Sequence, residues 1–462
     1  MSAPVGSRLT EAELDQLQQS QHTHYNHYDR PPLPFACLSA RGIAMEAVEL
    51  TGPHRGETFT LYDASGGYGS ACLGAGNDLV GRSLQRAVAA SGYVTDEIAS
   101  LERARLLDRL FGAEGRWSDR FPAEDYHVAG RNSGSEGLEL ALRLVLESRF
   151  DIRRLRHRPG REKRDTILAF EGAWHGWTQG LLPLLNRRHY RVGLPGLAPG
   201  EDYGVRVEHI PFGDADALDE YVAANADRLL AVVVEPVQGD AGILLPPPGY
   251  LRHLARLCAD SRAWLVADEV LTFAKTGRWF GMHDEDGPVP TDVTVIGKSL
   301  GMGALSTSMV IARRELRARA TGTISTSDLR PLTSTVIHDG LGHIENTGLL
   351  EHSRRLGSRL TETLRALVQR FPDVYTDSRG LGVMHGVELS GAAAARLDAL
   401  RTHVLRAGVY VEFMAGAGKR SRGLRYVHPT MRIAPPLITT EAEADEIVER
   451  LGEGTRRFQE TL

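Results

Sequence analysis

Residues 230–270 read LAVVVEPVQGDAGILLPPPGYLRHLARLCADSRAWLVADEV. The stretch contains two continuous apolar runs, Leu230–Val237 and Trp264–Val270, with a helical pattern between them at Tyr250–Asp260. Continuous apolar runs are typical of strands buried on both faces, and parallel strands need a long, usually helical connection. The stretch therefore predicts one strand–helix–strand unit of a mostly parallel sheet.

The same alternation extends along the chain on both sides of this unit. Further apolar runs lie at Thr166–Phe170, Arg206–Phe212, Val293–Gly297 and Ser308–Ala312, and another helical pattern lies at Glu136–Phe150. After about residue 345 come a long amphipathic helix, short strands and a closing helix, at Leu349–Gln369, Gly382–Leu389, Val409–Phe413 and Thr440–Leu451. This order predicts an α/β fold in which helices cover a large, mostly parallel sheet and a smaller α+β domain follows.

We divide the chain into four parts on this basis. Residues 1–44 form an N-terminal arm, in which a capping box of Thr10 and Glu13 predicts a short polar helix. Residues 45–75 contain short β-like stretches and are assigned to the small domain. Residues 76–344 form the large domain, and residues 345–462 complete the small domain.

The composition is that of an ordinary globular protein. Its 462 residues carry 54 basic and 59 acidic side chains, and the net charge of −5 does not favour wholesale binding to nucleic acid or anionic lipid. No run of 18 apolar residues and no apolar signal segment is present, so we expect a cytoplasmic protein without a membrane span. The cysteines Cys37, Cys72 and Cys258 lack CxxC spacing, which fits a reducing compartment and predicts neither disulfides nor a metal site.

Two basic runs, Arg153–Arg164 and Lys419–Arg425, raise the question of nucleic-acid binding. The first run contains Pro and Gly between a helix and a strand, which is typical of a solvated loop. No nucleic-acid module is recognisable, so we predict no such partner. The second run lies just ahead of Arg432 and would attract an anionic or peptide substrate, although such runs are more often surface loops.

Residues 132–137 read NSGSEG and immediately precede a helical pattern. Ser133 and Glu136 have the spacing of a capping box, which places the start of the helix here. The first N–H groups of a helix are free, so Gly134 and Ser135 would offer donors to a phosphate at the positive end of the helix dipole. Capping boxes are common, and a motif of this kind taken alone more often marks a plain helix start.

Two further motifs stand at the carboxyl ends of predicted strands, where α/β sheets bind ligands. Trp174 lies between glycines in FEGAWHG, residues 170–176, and its ring would either stack on a flat ligand or pack in the core. Glu235 and Gln238 end the most apolar strand of the chain, so they need polar partners or a ligand.

Asp268 and Lys298 follow two more apolar runs. An aspartate at the end of a buried strand can keep a ring nitrogen protonated; the alternative, a metal-binding carboxylate of a nucleotide hydrolase, lacks the GxxxxGK[ST] phosphate loop. Lys298 lies between glycines in IGKSLG, and burial there would lower its pKa and make its neutral amine a nucleophile. A structural lysine is the alternative interpretation.

Together the motifs supply a phosphate cradle, a stacking ring, an anion for a pyridine nitrogen, an amide for a ring hydroxyl and a Schiff-base lysine. This set suits pyridoxal 5′-phosphate (PLP), a cofactor that acts as an electron sink. NSGSEG, AWHGWT, EPVQG, DEV and IGKSLGMG, in this order, resemble the motifs of the class III aminotransferases, PLP enzymes of fold type I. The resemblance covers residues 45–455.

The resemblance implies a role for each matching residue. Lys298 would carry the cofactor as a Schiff base, and Asp268 would pair with its ring nitrogen. The other cofactor contacts, to the ring, its hydroxyl and its phosphate, would come from Trp174, Gln238, Gly134, Ser135 and Thr335. Arg432 would bind a substrate carboxylate, and Glu235 would pair with Arg432 when no carboxylate is bound. The family also implies a homodimer in which Thr335 reaches the phosphate of the partner subunit.

Three segments depart from the family pattern. The run after Val270, LTFAKTG at 271–277, looks one residue short of the family's Gly-Phe-Gly-Arg-Thr-Gly-like run. The segment STVIHDG at 334–340 lacks the family's Gly-Asn-Pro, and Ala75 stands where a histidine is usual. These departures lie in parts that face the substrate and the subunit interface, so they affect the choice of substrate more than cofactor binding.

The activity implied is transamination between an amine or amino acid and a keto acid, ketone or aldehyde. Lys298 would take the proton from the carbon that bears the amino group and return it to the cofactor. An aminomutase, racemase or decarboxylase would use the same residues, and only an amino-transfer measurement with a second carbonyl substrate separates them. A non-catalytic binding protein is disfavoured because both Lys298 and Asp268 are present.

Overall fold

The computed structural model describes residues 9–461 except 29, 91–92, 152, 155, 188–189, 191–204, 320–321 and 420–424. The side chains of the basic run Lys419–Arg425 lie outside the described residues. In the described part no helix is both long and apolar enough to cross a membrane.

Helices and strands alternate along most of the described chain. In chain order, the helices are α1 (Glu11–Thr23), α2 (Gly66–Gly69), α3 (Asp78–Ala90), α4 (Leu101–Phe111), α5 (Gly134–Glu147), α6 (Ala215–Asn225), α7 (Tyr250–Ser261), α8 (Pro331–Asn346), α9 (Leu349–Arg370), α10 (Gly391–Ala395), α11 (Leu397–Arg406) and α12 (Glu441–Gln459). The strands are β1 (Phe35–Arg41), β2 (Ala44–Glu49), β3 (Thr58–Asp63), β4 (Tyr126–Arg131), β5 (Phe150–Asp151), β6 (Arg156–His157), β7 (Thr166–Phe170), β8 (Arg206–Ile210), β9 (Leu229–Val234), β10 (Trp264–Glu269), β11 (His283–Asp284), β12 (Gly287–Pro288), β13 (Val293–Ile296), β14 (Ser308–Arg313), β15 (Tyr375–Leu381), β16 (Met384–Leu389), β17 (Val409–Tyr410), β18 (Glu412–Met414), β19 (Ala417–Lys419), β20 (Arg425–Val427) and β21 (Thr430–Ile433).

The central sheet has seven strands in the order β4-β14-β13-β10-β9-β7-β8. Strand β14 runs antiparallel to both β4 and β13, and the other neighbours pair in parallel. Alternate residues of β9 enter opposite cores: Val233 packs with α5, and Val232 packs with α7. Burial on both faces explains why the strand sequence is continuously apolar, and the expected mostly parallel, helix-covered sheet is confirmed.

Two four-stranded sheets lie outside the central sheet, and one of them combines strands from the two ends of the chain. Strands β1, β2 and β3 pair with β17, which comes from the C-terminal part of the chain. The second sheet has the order β15-β16-β21-β18. Helices α9 and α12 pack in the same core cluster as this sheet, through Leu360, Ile447 and Val387 among others.

Several element boundaries differ from the sequence-based expectation. Strand β9 ends at Val234, so Glu235–Gln238 lie in the loop beyond it. The run Val409–Phe413 divides into β17 and β18, which belong to different sheets. Strands β1 and β4 were not expected, and β1 lies within the stretch assigned to the arm. The capping box of Thr10 and Glu13 is present at α1.

Candidate active site

The carboxyl ends of four neighbouring strands bring most of the expected residues together. Asp268 is the penultimate residue of β10, and Lys298 lies two residues beyond the end of β13, its parallel neighbour. On the other side of β10, Glu235 directly follows β9, and Trp174 follows β7 by four residues. Parallel strands present their carboxyl ends at one edge of a sheet, which is why motifs far apart in sequence meet here.

Asp268 is held in place by a histidine that the sequence did not single out. The Asp268 Oδ2 atom lies 2.8 Å from His175 Nδ1, and the Val270 N–H donates to Asp268 Oδ1 over 3.1 Å. Both side chains are buried. The histidine thus fixes the direction of the carboxylate at the floor of the site, a positioning contact of the kind that orients reactive groups.

Lys298 begins a short 3₁₀ turn, Lys298–Gly301, and has a φ of 44°. Positive φ is costly for a residue with a side chain, so the surrounding structure must hold this conformation. Burial and the charge of Arg432 lower the pKa of Lys298 to about 8, against the opposing effect of Asp268. A sizeable fraction of this amine is therefore neutral near pH 7 to 8, as a nucleophile requires.

Helix α5 starts where the NSGSEG motif predicts, although its capping differs in one detail. The Glu136 N–H donates to Ser133 Oγ over 3.2 Å, but the Glu136 carboxylate accepts from the Asn132 N–H at 2.9 Å, not from Ser133. Only half of the expected capping box is therefore formed. Gly134 and Ser135 are the first two residues of the helix, so their N–H groups have no acceptor within it.

Neighbouring atoms leave no room for a side chain at two glycines near this helix start. A Cβ atom at Gly134 would lie 2.6 Å from a Val270 methyl group, and one at Gly176 would collide with the Ser135 side chain. Gly176 also has a φ of 117°, which disfavours any other residue. The close approach leaves the N–H groups of the helix start facing the strand ends, a suitable cradle for a phosphate.

Gln238 and Glu235 are both buried in the loop after β9. Gln238 Nε2 donates to the Glu171 carbonyl over 3.1 Å, whereas its Oε1 has no partner among the described residues. Glu235 accepts hydrogen bonds from the Trp174 N–H at 2.7 Å and the Gly239 N–H at 3.1 Å, and burial raises its pKa. A buried acceptor without a donor is costly, so Gln238 Oε1 suits the hydroxyl of a ligand.

These features fit PLP. Asp268 would hold the ring nitrogen, Gln238 the ring hydroxyl, the start of α5 the phosphate, and Lys298 the aldehyde carbon. Each chemical group of the cofactor therefore has a matching group in the chain. Two polar atoms of the site, Gln238 Oε1 and His175 Nε2, are buried without a partner in the described part of the chain.

The mouth of the site contains an aromatic and charged cluster that the sequence did not reveal. The Arg187 guanidinium lies 5.1 Å from the centre of the Trp174 ring, and its Nη1 lies 2.5 Å from Asp240 Oδ2. Trp177, which is exposed, meets the Trp174 ring edge to face at 4.3 Å. Trp174 is thus held between an arginine and a second aromatic ring. The one feature of the sequence that could have pointed to this cluster is the position of Asp240, two residues after Gln238.

Arg432 differs from the expectation in its partner. The structure pairs Arg432 with Glu412, because the register of β18 and β21 places these two residues directly opposite each other. Glu235 instead accepts from backbone N–H groups, so the expected Glu235–Arg432 pair is not formed. Asp240 and Glu235 still act on the charge of Arg432, and each opposes the burial that lowers the pKa of Arg432.

Thr335 has a hydrogen-bond partner within its own chain. It lies inside α8 and is only 8% exposed, and its hydroxyl donates to the Pro331 carbonyl over 2.8 Å. The contact of Thr335 with the cofactor phosphate of a partner subunit stays a prediction. In the segment before α8 it is Ser327 that contacts Asn132 in the phosphate motif.

Comparisons with solved structures agree with this fold. An aminotransferase from Bacillus anthracis superposes with a TM-score of 0.80 at 19% identity, covering 97% of this chain and 100% of that one. The ornithine aminotransferase of Toxoplasma gondii gives a TM-score of 0.78 at 22% identity, covering 97% of this chain and 96% of that one. The fold and the site together define a PLP-dependent enzyme of fold type I.

Sequence comparison narrows the assignment to a family. The family described as aminotransferase class-III matches residues 55–453, and the chain belongs to it. An ornithine aminotransferase from an Exiguobacterium strain is 30% identical over 364 residues, 77% of this chain and 80% of that protein. The mitochondrial ornithine aminotransferase of rice is 28% identical over 374 residues, 78% of this chain and 72% of that protein. The protein is therefore a PLP-dependent aminotransferase.

Proposed function

We propose that this aminotransferase carries its cofactor on Lys298 and uses Asp268 to keep the cofactor ring protonated. The observation that supports this assignment is the placement of the two side chains at the ends of adjacent parallel strands, with His175 bonded behind the carboxylate. When bound, PLP supplies an electron sink for the electron pair left as a substrate bond to the amino-bearing carbon breaks. Trp174, Gln238, Gly134 and Ser135 complete its binding site.

The chain's own residues perform the proton transfers. With its amine free, Lys298 takes the proton from the substrate carbon and later returns it, and its lowered pKa suits both steps near neutral pH. Asp268 carries the negative charge that stabilises the protonated ring nitrogen throughout. Asp268 is buried, and the exclusion of water from the carboxylate strengthens its interaction with the ring nitrogen.

For the substrate we propose an amino acid whose carboxylate binds Arg432, and ornithine is the first candidate because the relatives named above are ornithine aminotransferases. The Arg432 side chain is only 12% exposed, and low exposure to water strengthens an ion pair with a carboxylate. The Arg187–Asp240 pair at the mouth supplies charges of both signs for a zwitterionic substrate. A keto acid such as 2-oxoglutarate would use Arg432 in the second half-reaction.

The test combines trapping with a substrate screen. Borohydride reduction followed by peptide mapping should place the cofactor on Lys298, which is easily resolved because the chain contains only four lysines. Ornithine and other amine donors are then offered with pyruvate or 2-oxoglutarate, and the change in cofactor absorbance is followed. Conversion of the amine substrate without any carbonyl acceptor would instead indicate a mutase or racemase.

We further propose a homodimer in the cytoplasm, with domain boundaries near residues 75 and 345. A reducing compartment is supported by the three cysteines, all of which are free. Dimerisation is supported by apolar side chains exposed on neighbouring segments, namely Val88, Tyr93, Ile98, Leu101 and Ile324. The Arg330 guanidinium lies 4.5 Å from the Tyr93 ring centre, so the segments around residues 93 and 330 are adjacent. An apolar patch of this kind marks an interaction surface.

A further inference from the structure

Lysine is rare in this chain, and two of the few lysines lie close together in the candidate site. Of the 54 basic residues only four are lysines, namely Lys163, Lys275, Lys298 and Lys419. Lys275, in the shortened run after Val270, is buried to 3% exposure, and its charge environment includes Lys298. A chain that otherwise uses arginine thus has two lysines close together in one site, and one of them, Lys275, is buried.

Lys275 makes two well-defined contacts. Its Nζ donates to the Leu271 carbonyl over 2.9 Å and to Ser299 Oγ over 2.7 Å. No carboxylate in the described part of the chain forms an ion pair with it. Two acceptors match the two N–H bonds of a neutral amine, and an arginine could not shed its charge in such a place. Burial accordingly lowers the pKa of Lys275 to about 7, with Lys298 and Arg432 acting in the same direction and Cys72 opposing them.

The residue that Lys275 contacts is the one that follows Lys298. Ser299 is fully buried and is held at two points: its hydroxyl accepts from Lys275, and its carbonyl accepts from Cys72 Sγ at 3.2 Å. Lys298 itself has the unfavourable φ of 44°. A strained residue persists only where its neighbours fix it, and Ser299 is the point at which this turn is fixed.

We propose that Lys275 is a positioning residue, which holds Ser299 and thereby fixes the turn that presents the Lys298 amine to the cofactor. This role rests on the proposed function of Lys298. It assigns a purpose to the shortened run at 271–277, which brings a lysine next to the cofactor-binding turn. The contact acts through geometry, so its loss is expected to affect the chemical step more than substrate binding.

The experiment uses the purified holoenzyme and the variants Lys275→Met, Ser299→Ala and the double variant. Each single variant should lower kcat about tenfold while KM changes less than about twofold, because only the orientation of Lys298 is disturbed. The visible circular dichroism of the bound cofactor should fall in the same variants, since it reports how rigidly the cofactor is held. If Lys275 acts through Ser299, the double variant should be no worse than either single one.

The controls separate the positioning role of Lys275 from the anchoring role of Lys298. Lys163→Met removes an exposed lysine and should change nothing. Borohydride mapping of the unmodified enzyme comes first, and a label on a residue other than Lys298 would remove the premise. If the label is on Lys298, two results would overturn the positioning role of Lys275. The first is a Lys275→Met variant with the circular dichroism and the kcat of the wild type. The second is a double variant in which the losses of the two single variants add. Ser299→Ala keeps the test decisive if Lys275→Met fails to fold.

Discussion

Lys298 and Lys275 lie in the same buried region and share a lowered pKa, yet their surroundings give them different tasks. Lys298 has Asp268, Glu235 and Asp240 within its charge environment, and its amine has no hydrogen-bond acceptor among the described residues, so it is available to react. Lys275 has both of its N–H bonds used by Leu271 and Ser299. The reactivity of each amine therefore depends on whether it is already engaged in hydrogen bonds, and not on its pKa alone.

Lys298→Ala should reduce turnover by about 10⁴-fold or more, because it removes both the cofactor anchor and the proton carrier. The expected spectroscopic result is loss of the absorption band that reports the lysine-bound cofactor, with an unchanged thermal melt of the apoprotein. Borohydride trapping provides the check. A variant that still traps the cofactor on Lys275 and turns over would show that Lys298 is not the essential amine.

Asp268→Asn should bind the cofactor but lower kcat by about 10³-fold, because a neutral amide no longer keeps the ring nitrogen protonated. His175→Ala is the matched comparison, since it leaves the carboxylate and removes only the contact that orients it. We expect its loss to be intermediate. Comparable activity of Asp268→Asn and the wild type in single-turnover measurements would make Asp268 a structural residue.

The lowered pKa of Lys275 has a consequence for stability. Between about pH 7, its folded-state pKa, and its ordinary value of 10.5, the unfolded chain binds a proton that the folded chain does not. The free energy of unfolding of the wild-type apoprotein should therefore rise with pH in this window, relative to Lys275→Met, by about 1 kcal/mol per pH unit. Below pH 7 the difference should level off. Denaturant titrations at pH 7, 8 and 9 measure it, and a pH-independent difference would contradict the burial of a neutral amine.

Among individual residues, the sequence predicts a site residue where the chemistry of the cofactor requires a particular residue type. Asp268, Gln238 and Lys298 stand out because polar residues rarely end buried strands without a ligand. His175, Arg187 and Glu412 could not be identified this way, since their importance depends on contacts between segments that only the folded chain brings together.

The elements of the central sheet were predictable because their periodicity is unambiguous. Continuous apolar runs and amphipathic helices such as α5 and α7 give the same answer from sequence and from structure. The ends were less predictable: β9 stops at Val234 although the apolar pattern continues through Pro236 to Val237. Proline cannot extend the strand ladder, and the site begins at this point.

The pairing of β18 with β21 leads to a prediction about substrate binding. Glu412 lies opposite Arg432, so it competes with any substrate carboxylate for the guanidinium. Glu412→Gln should lower the KM for 2-oxoglutarate about threefold to tenfold, because the charged competitor is gone. The KM for an aldehyde acceptor without a carboxylate should not change.

Glu235→Gln is the matched control, because Glu235 binds backbone N–H groups and not Arg432. The two variants distinguish the observed pairing of Arg432 from the one expected from the sequence. A lower KM for 2-oxoglutarate in Glu235→Gln, with no change in Glu412→Gln, would restore Glu235 as the partner of Arg432.

On the scale of the whole molecule, the sequence predicts a second, smaller domain, but the strand pairings outside the central sheet could not be predicted from it. Strand β3 pairs with β17, about 350 residues later, and β16 pairs with β21, which in turn pairs with β18. Such long-range pairings leave no periodic signal, because each short strand satisfies its backbone only in the finished sheet. The two ends of the chain are thus joined by the pairing of β3 with β17, whereas the candidate site lies on the central sheet.

The exposed apolar patch leads to a prediction about assembly. Ile324 and Leu101 are 67% and 60% exposed, and they belong to a group of exposed apolar side chains of the kind that marks an interaction surface. Ile324 lies beside Thr323, whose carbonyl accepts from Arg131 at 2.6 Å, immediately before the phosphate motif. A partner bound to this surface would therefore stabilise the cofactor site.

Ile324→Glu and Leu101→Glu should convert a dimer into monomers in sedimentation velocity and weaken cofactor retention about tenfold, since a buried carboxylate in an interface is strongly unfavourable. Leu381→Glu, at an exposed leucine of β15, should leave the dimer intact. A wild-type protein that sediments as a monomer would contradict the proposal, and so would a dimer that both substitutions leave unchanged.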